Sequence, residues 1–94
     1  MMRRVFGARS KDVPLVSNKP LYGHLLGASS SLNAAHAALM LKHQFVTPTI
    51  NVDQIKAPPD INHQVNRGAS KECRYGLAVS FGMGGHNGIL LLGR

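Results

Sequence analysis

The sequence predicts an α/β unit in β-α-β-β order that forms part of a larger domain. Three observations carry this. A short apolar run, Val13 to Ser17, follows a polar turn. A stretch of leucines, alanines and serines at helical spacing, residues 23–42, has almost no polar face. Two apolar runs near the C-terminus, "YGLAVSFG" and "ILLLGR", flank the glycine-rich "MGGHNG". One helix that needs cover on several faces, with three apolar strands, finds too few partners in 94 residues. Residues 1–94 are therefore read as one incomplete domain.

Taken in order, residues 2–6 read as a helix remnant that stops at Gly7, a residue suited to the left-handed cap. Val13 to Ser17 suits a short buried strand. Pro20 is expected to keep Lys19 extended. From Gly23 to Lys42 the pattern is helical: Leu25, Leu26, Ala28, Leu32, Ala35, Leu39 and Met40 recur near a period of 3.6. Other positions are mostly small, so this helix is expected to be buried on most faces. Lys42 and His43 sit where the helix dipole favours positive charge. Phe45 to Ile55 is extended and broken by Pro48. Residues 56–74 form a polar connection, long for a compact domain, and are expected to wrap over another surface. Tyr75 to Gly82 and "ILLLGR" are close enough to form an antiparallel hairpin.

Composition narrows the function classes. Hydrophobic residues make up 44% of the chain, which excludes a disordered polymer. No apolar run reaches the length of a membrane span. The single cysteine, Cys73, permits no intrachain disulfide, so a cytoplasmic or organellar location is expected rather than an oxidising one. Eleven Lys and Arg against four Asp and Glu give a formal charge of +7. Three readings of that charge compete: nucleic acid, an acidic protein partner, or acidic residues elsewhere in a larger protein. The basic residues are scattered, with no aromatic interleaving, so no nucleic-acid partner is expected.

Two places carry chemistry. The first is "NKPLYGHLLGASSS", Asn18 to Ser31, where Lys19 and His24 precede a run of small residues. Placed at a helix N-terminus, His24 would stay neutral and could polarise a carbonyl. On spacing alone, a locally satisfied histidine and a solvated lysine explain the pattern as well. The second is "SFGMGGHNG", Ser80 to Gly88, with four glycines in seven residues. It is not a dinucleotide fingerprint, because Asn87 stands where the last glycine belongs and a strand follows instead of a helix. Two readings remain, a tight hairpin or a backbone N–H exposed to an oxyanion. Cys73 lacks the context of a nucleophile. His36, His43, His63 and His86 lack metal-ligand spacing, so neither metal nor other cofactor is expected.

At these two places the chain resembles the β-ketoacyl-[acyl-carrier-protein] synthases, the condensing enzymes of fatty acid and polyketide biosynthesis. "SNKPLYGHLLGASS" is similar to that family's lysine, Gly-His and small-residue helix. "TPTIN", Thr47 to Asn51, matches an extended segment, and "VSFGMGGHN", Val79 to Asn87, matches the closing glycine loop. "RRVFG" and "VPLVS" look like the lead-in, so the likeness covers nearly the whole chain in order.

The resemblance implies a thiolase-like layered α/β/α/β/α fold, of which this chain is the end of the second half. It implies an acyltransferase reaction: an acyl group rides on a cysteine, malonyl-carrier protein loses carbon dioxide, and the enolate attacks the acyl thioester. His24 would be one of two active-site histidines, and Lys19 would support it. Phe81, Gly82, Met83, Gly84 and Gly85 would form the oxyanion and gating loop, with the Met83 N–H as donor. Implied partners are acyl carrier protein and the remaining synthase portion, or a synthase dimer. The chain departs from the family pattern. Asn33 stands where a glutamate faces the lysine, and Tyr22, Val79, Met83 and His86 replace usual residues. The nucleophilic cysteine and second histidine belong to the other half, so the isolated chain is expected to be inactive. The alternative is a non-catalytic, diverged accessory protein or a truncated gene product.

Overall fold

The computed structural model of the chain describes residues 1–56 and 58–94. Its elements are α1 (Met2–Phe6), a 3-10 turn (Gly7–Asp12), α2 (Lys19–Tyr22), a second 3-10 turn (Leu26–Ala28), α3 (Ser29–His43), and strands β1 (Phe45–Val46), β2 (Ala69–Ser70), β3 (Tyr75–Phe81) and β4 (Asn87–Gly93). α1 ends at Gly7, as expected, with φ at 54°.

β3 and β4 form the expected antiparallel hairpin, with Gly76 opposite Leu92, Ala78 opposite Leu90 and Ser80 opposite Gly88. α3 packs across one face of this hairpin. Side chains alternate along a strand, so Gly76, Ala78 and Ser80 share a face. All three are small, which lets the helix approach closely. A Cβ on Gly76 would touch Leu41 Cδ1 at 3.4 Å. Asn33 Nδ2 donates to the Val79 carbonyl at 3.4 Å and lies 3.5 Å from Ser80 Oγ. Asn33 to Leu41 spans about 12 Å of helix, and Ser80 to Gly76 about 13 Å of strand. The two match, so α3 runs antiparallel to β3 across that length.

Among the described residues, Ala37, Leu41, Val46 and Ala78 are the buried apolar ones. The expectation that α3 is buried on most faces is corrected: only Ala37 and Leu41 are buried along its length. The hairpin covers one side of the helix. The opposite face of the sheet is uncovered and apolar, with Tyr75, Leu77, Phe81, Ile89 and Leu91 all exposed.

Three further expectations are corrected. Val13 to Ser17 is not a strand: it makes one isolated parallel bridge, Leu15 with His63. Its partner segment is largely polar, and two residues beyond His63 it pairs with Thr49 instead. Lys19 is not extended but opens α2. Pro20 falls in the first turn of that helix, where a missing N–H costs nothing. The long helix begins at Ser29, not Gly23. Positive φ at Gly23 (79°) and Leu26 (50°) breaks the helical run before it. The β-α-β-β order thus becomes a helix followed by two separate two-stranded sheets.

The connection expected to wrap over another surface returns instead over the chain's own N-terminal part. His63 bridges Leu15, Val65 bridges Thr49, and β2 pairs with β1. Arg3 forms a two-pronged ion pair with Asp60. The guanidinium holds the Asp60 carboxyl below the usual carboxylate range. Ala57, within this connection, lies outside the described residues.

The C-terminus of α3 is fixed by Gln44, in the left-handed conformation with φ 52°. Its amide Nε2 donates to the carbonyls of Leu41 (2.6 Å) and Cys73 (2.9 Å), and its Oε1 accepts the Cys73 N–H (2.8 Å). One side chain thereby caps the helix and fixes the start of the chain into β3.

Candidate functional site

The Lys19–His24 arm is built from Asn18 outward. The buried Asn18 offers its carbonyl to the N–H groups of Leu21 (3.0 Å) and Tyr22 (3.3 Å), which founds α2. Gly23 closes the turn by donating its N–H to the Lys19 carbonyl at 2.8 Å. Its positive φ turns the chain out of α2 and delivers His24 to the start of α3.

His24 is not inside the helix, as the sequence suggested, but five residues before it. The reach is made by hydrogen bonding. The Leu26 N–H donates to His24 Nδ1 at 3.1 Å, and Ser29 Oγ, on the first residue of α3, lies 3.0 Å from the same nitrogen. A backbone N–H can only donate, so Nδ1 is an acceptor and the Ser29 hydroxyl donates to it as well. The proton of the neutral ring then sits on Nε2, which points away from both partners. Leu26, between the two donors, has a left-handed backbone and is the strained element of the turn into α3.

The glycine loop lies at the same end of the helix–hairpin layer. Asn33 is one turn into α3 from Ser29, and it touches β3 at Val79 and Ser80, just before Phe81. Two motifs nearly sixty positions apart in sequence thus meet through α3. Within the loop, the Gly82 N–H donates to the His86 carbonyl at 2.7 Å, and Gly84 and Gly85 have φ near +85°. A side chain at either would be strained, which accounts for the glycines. The Met83 N–H has no hydrogen-bond partner among the described residues. Phe81 through Gly85 are exposed, and the Met83 side chain is 95% exposed.

Lys19 is exposed, and its ammonium makes no ion pair or hydrogen bond among the described residues. Asn33, where the resemblance places the lysine's carboxylate partner, gives its amide to β3 instead.

His36 shows no metal-ligand spacing in the sequence, and its partners come from segments distant along the chain. Its ring contacts Asn18 at 3.2 Å and Thr47 at 2.9 Å. Burial pushes its pKa down. A sequence signal did exist: Ser29, Asn33 and His36 fall at i, i+4 and i+7, a narrow polar stripe on an otherwise apolar or small helix. No group of three or more His, Cys, Asp or Glu side chains among the described residues could hold a metal ion.

An imidazole held at Nδ1 thus sits at one end of α3, and α3 joins it to the glycine loop. The profile of the family described as "Beta-ketoacyl synthase, C-terminal domain" matches residues 1–53. The 3-oxoacyl-[acyl-carrier-protein] synthase 2 of Vibrio harveyi is 38% identical over 91 residues, covering 96% of this chain and 22% of the relative. The enzyme of the same name from Staphylococcus aureus (strain COL) is 32% identical over 90 residues, with the same coverage. The chain belongs to the β-ketoacyl synthase family, through its C-terminal domain. It spans about a fifth of the length of these curated relatives.

Proposed function

We propose that this chain supplies the C-terminal part of a 3-oxoacyl-[acyl-carrier-protein] synthase of fatty acid biosynthesis. His24 donates its Nε2–H to the thioester oxygen of a malonyl-carrier protein. When the C–CO₂ bond breaks, its electron pair forms the enolate, and negative charge gathers on that oxygen. The enolate carbon then attacks an acyl thioester, expelling the cysteine thiolate that carried it. The Met83 N–H is the candidate donor to the oxygen of that second thioester. The observation that carries the reading is the fixed orientation of His24. Two donors converge on Nδ1, so the neutral ring presents Nε2–H outward, with no acceptor for it among the described residues.

The nucleophile comes from the remaining synthase portion, since Cys73 lies against Gln44, at the end of α3 away from His24 and the glycine loop. The uncovered apolar sheet face supports a layered, thiolase-like setting in which that portion supplies the missing cover. A chain of formal charge +7 suits an acidic carrier protein as partner. No helix among the described residues is long and apolar enough to cross a membrane.

The position of Asn33 favours a second reading, a non-catalytic synthase-like partner, because Lys19 then lacks its expected carboxylate. One experiment separates the two. The chain is co-expressed with a Cys-bearing condensing portion, and 3-oxoacyl-carrier protein formation is followed from malonyl- and acyl-carrier protein. Product formation that disappears in His24→Ala supports the synthase. Association without product, unaffected by His24→Ala, supports the accessory reading.

A further inference from the structure

We infer that His36 is a positioning residue for the Lys19–His24 arm, acting through a one-way hydrogen-bond relay that holds Asn18. The direction of each bond follows from chemistry. An amide nitrogen only donates, so Asn18 Nδ2 donates to His36 Nδ1 at 3.2 Å. The neutral ring then carries its proton on Nε2 and donates to Thr47 Oγ1 at 2.9 Å. The Thr47 hydroxyl, having accepted, donates onward to Met40 Sδ at 3.4 Å. His36 and Thr47, the two middle groups, each use one donor and one acceptor position. Burial disfavours the charged ring, so the environment of His36 favours the neutral form that the relay needs.

The relay acts on the arm because Asn18 founds it. Its carbonyl holds Leu21 and Tyr22, and the turn it starts ends at Gly23, next to His24. Thr49 Oγ1 accepts the Ser17 N–H at 2.8 Å, so the neighbouring residue is fixed from the same extended segment. Ser29, which sets the His24 ring, and His36, which sets Asn18, lie seven residues apart and so on one face of α3. The helix thus grips both ends of the arm. A consequence for condensation rests on the function proposed above; the relay itself does not.

The test reads ring nitrogens by ¹⁵N NMR, on the chain in a cooperatively folded state, alone or co-expressed with the Cys-bearing portion. In the wild type both His24 and His36 should show the Nε2–H tautomer. His36→Phe keeps the aromatic volume and removes both ring bonds, and it should convert His24 to a mixture of tautomers. His36→Gln, whose amide can accept from Asn18 and donate to Thr47, should restore the single tautomer. Ala37→Gly weakens α3 without touching the relay and should leave His24 unchanged. The proposal fails if His36 carries its neutral proton on Nδ1, if His36→Phe leaves His24 as in the wild type, or if Ala37→Gly shifts it equally. If His36→Phe does not fold, Asn18→Asp decides: a carboxylate cannot donate to Nδ1, so the His36 ring must take a proton there. Unchanged His36 signals in Asn18→Asp would overturn the contact. Loss of condensation in the co-expression assay without a change in His24 tautomer would leave the synthase reading standing and remove this one.

Discussion

The Leu26 N–H and the His24 ring hold each other: the backbone donor reaches Nδ1 at 3.1 Å, and Leu26 itself adopts a left-handed φ of 50°. Ser29 adds the second donor at 3.0 Å. If the outward Nε2–H stabilises an enolate, His24→Ala should lower condensation by roughly a hundredfold or more, the usual range for one oxyanion donor. Ser29→Ala leaves the Leu26 bond and should cost only a few-fold. Rates of carbon dioxide release from malonyl-carrier protein, in the co-expressed assembly, check both. Equal losses in the two variants would contradict the division of roles.

Gln44 joins the end of α3 to the approach to β3 through three side-chain hydrogen bonds while its backbone is left-handed. Removing the amide strands the partly buried groups of Cys73. Gln44→Ala should therefore destabilise the fold by about 1–3 kcal/mol. Gln44→Gly loses the same bonds but relieves the φ penalty, so it should be about 1 kcal/mol less destabilising. Urea titrations of the folded form distinguish these; a larger loss for glycine would show that the backbone strain is absent.

Phe45 lies directly over Gly68. A Cβ there would clash with the ring, 2.6 Å from Phe45 Cε1, and would sit 3.0 Å from the Val46 carbonyl oxygen. The ring or the β1–β2 pairing must shift, so Gly68→Ala should cost about 1–3 kcal/mol, as overpacking usually does. Phe45→Leu made alongside it removes the ring, and the double variant should be more stable than the sum of the single effects implies. Additive losses in thermal melts would place the strain elsewhere.

These contacts show what the sequence could and could not carry. The hairpin was legible because apolar runs and a glycine turn are local signals, and the Gly7 stop was legible for the same reason. The start of α3 was not. Leu25 and Leu26 continue the helical pattern, and the break depends on side-chain geometry, His24 on Leu26 and Ser29, that an apolar pattern does not report. The Val13–Ser17 strand failed because strand pairing depends on a partner, and the partner here is a polar loop that gives one bridge. Lys19 and His24 were found by residue type. His36 was hidden because its function depends on Asn18 and Thr47, eighteen and eleven positions away.

His36 also sets a pH dependence of stability. Its pKa is lowered in the fold from the ordinary value of 6.5 by burial. The unfolded chain therefore binds more protons than the folded one as pH falls below about 6.5. Stability from this group should be fully present above that value and decline as pH drops toward the lowered folded pKa. His36→Phe should remove that part of the decline, while Asp60, held low by Arg3, should produce a separate loss at more acidic pH. Denaturant midpoints from pH 7.5 to 5 test the sign: a wild-type protein that gains stability over this window would contradict it.

The largest consequence follows from the uncovered sheet face. A compact protein of 10.1 kDa exposes about 5,300 Å² by the usual scaling, whereas this chain exposes 6955 Å². The excess includes Tyr75, Leu77, Phe81, Ile89 and Leu91, all exposed on the side of the hairpin away from α3. Apolar residues on both faces of a strand are the pattern of a sheet buried between layers. The isolated chain should accordingly melt with little cooperativity and bind a hydrophobic dye, both read by circular dichroism and fluorescence. Leu77→Lys and Ile89→Lys give up little burial in the isolated chain, so each should change its stability by no more than about 0.5 kcal/mol. In the co-expressed assembly the same charges would be buried without partners, and association should weaken at least tenfold, as unpaired buried charge predicts. A sharp, dye-silent melt of the isolated chain, with association indifferent to both lysines, would show that this face stays in water.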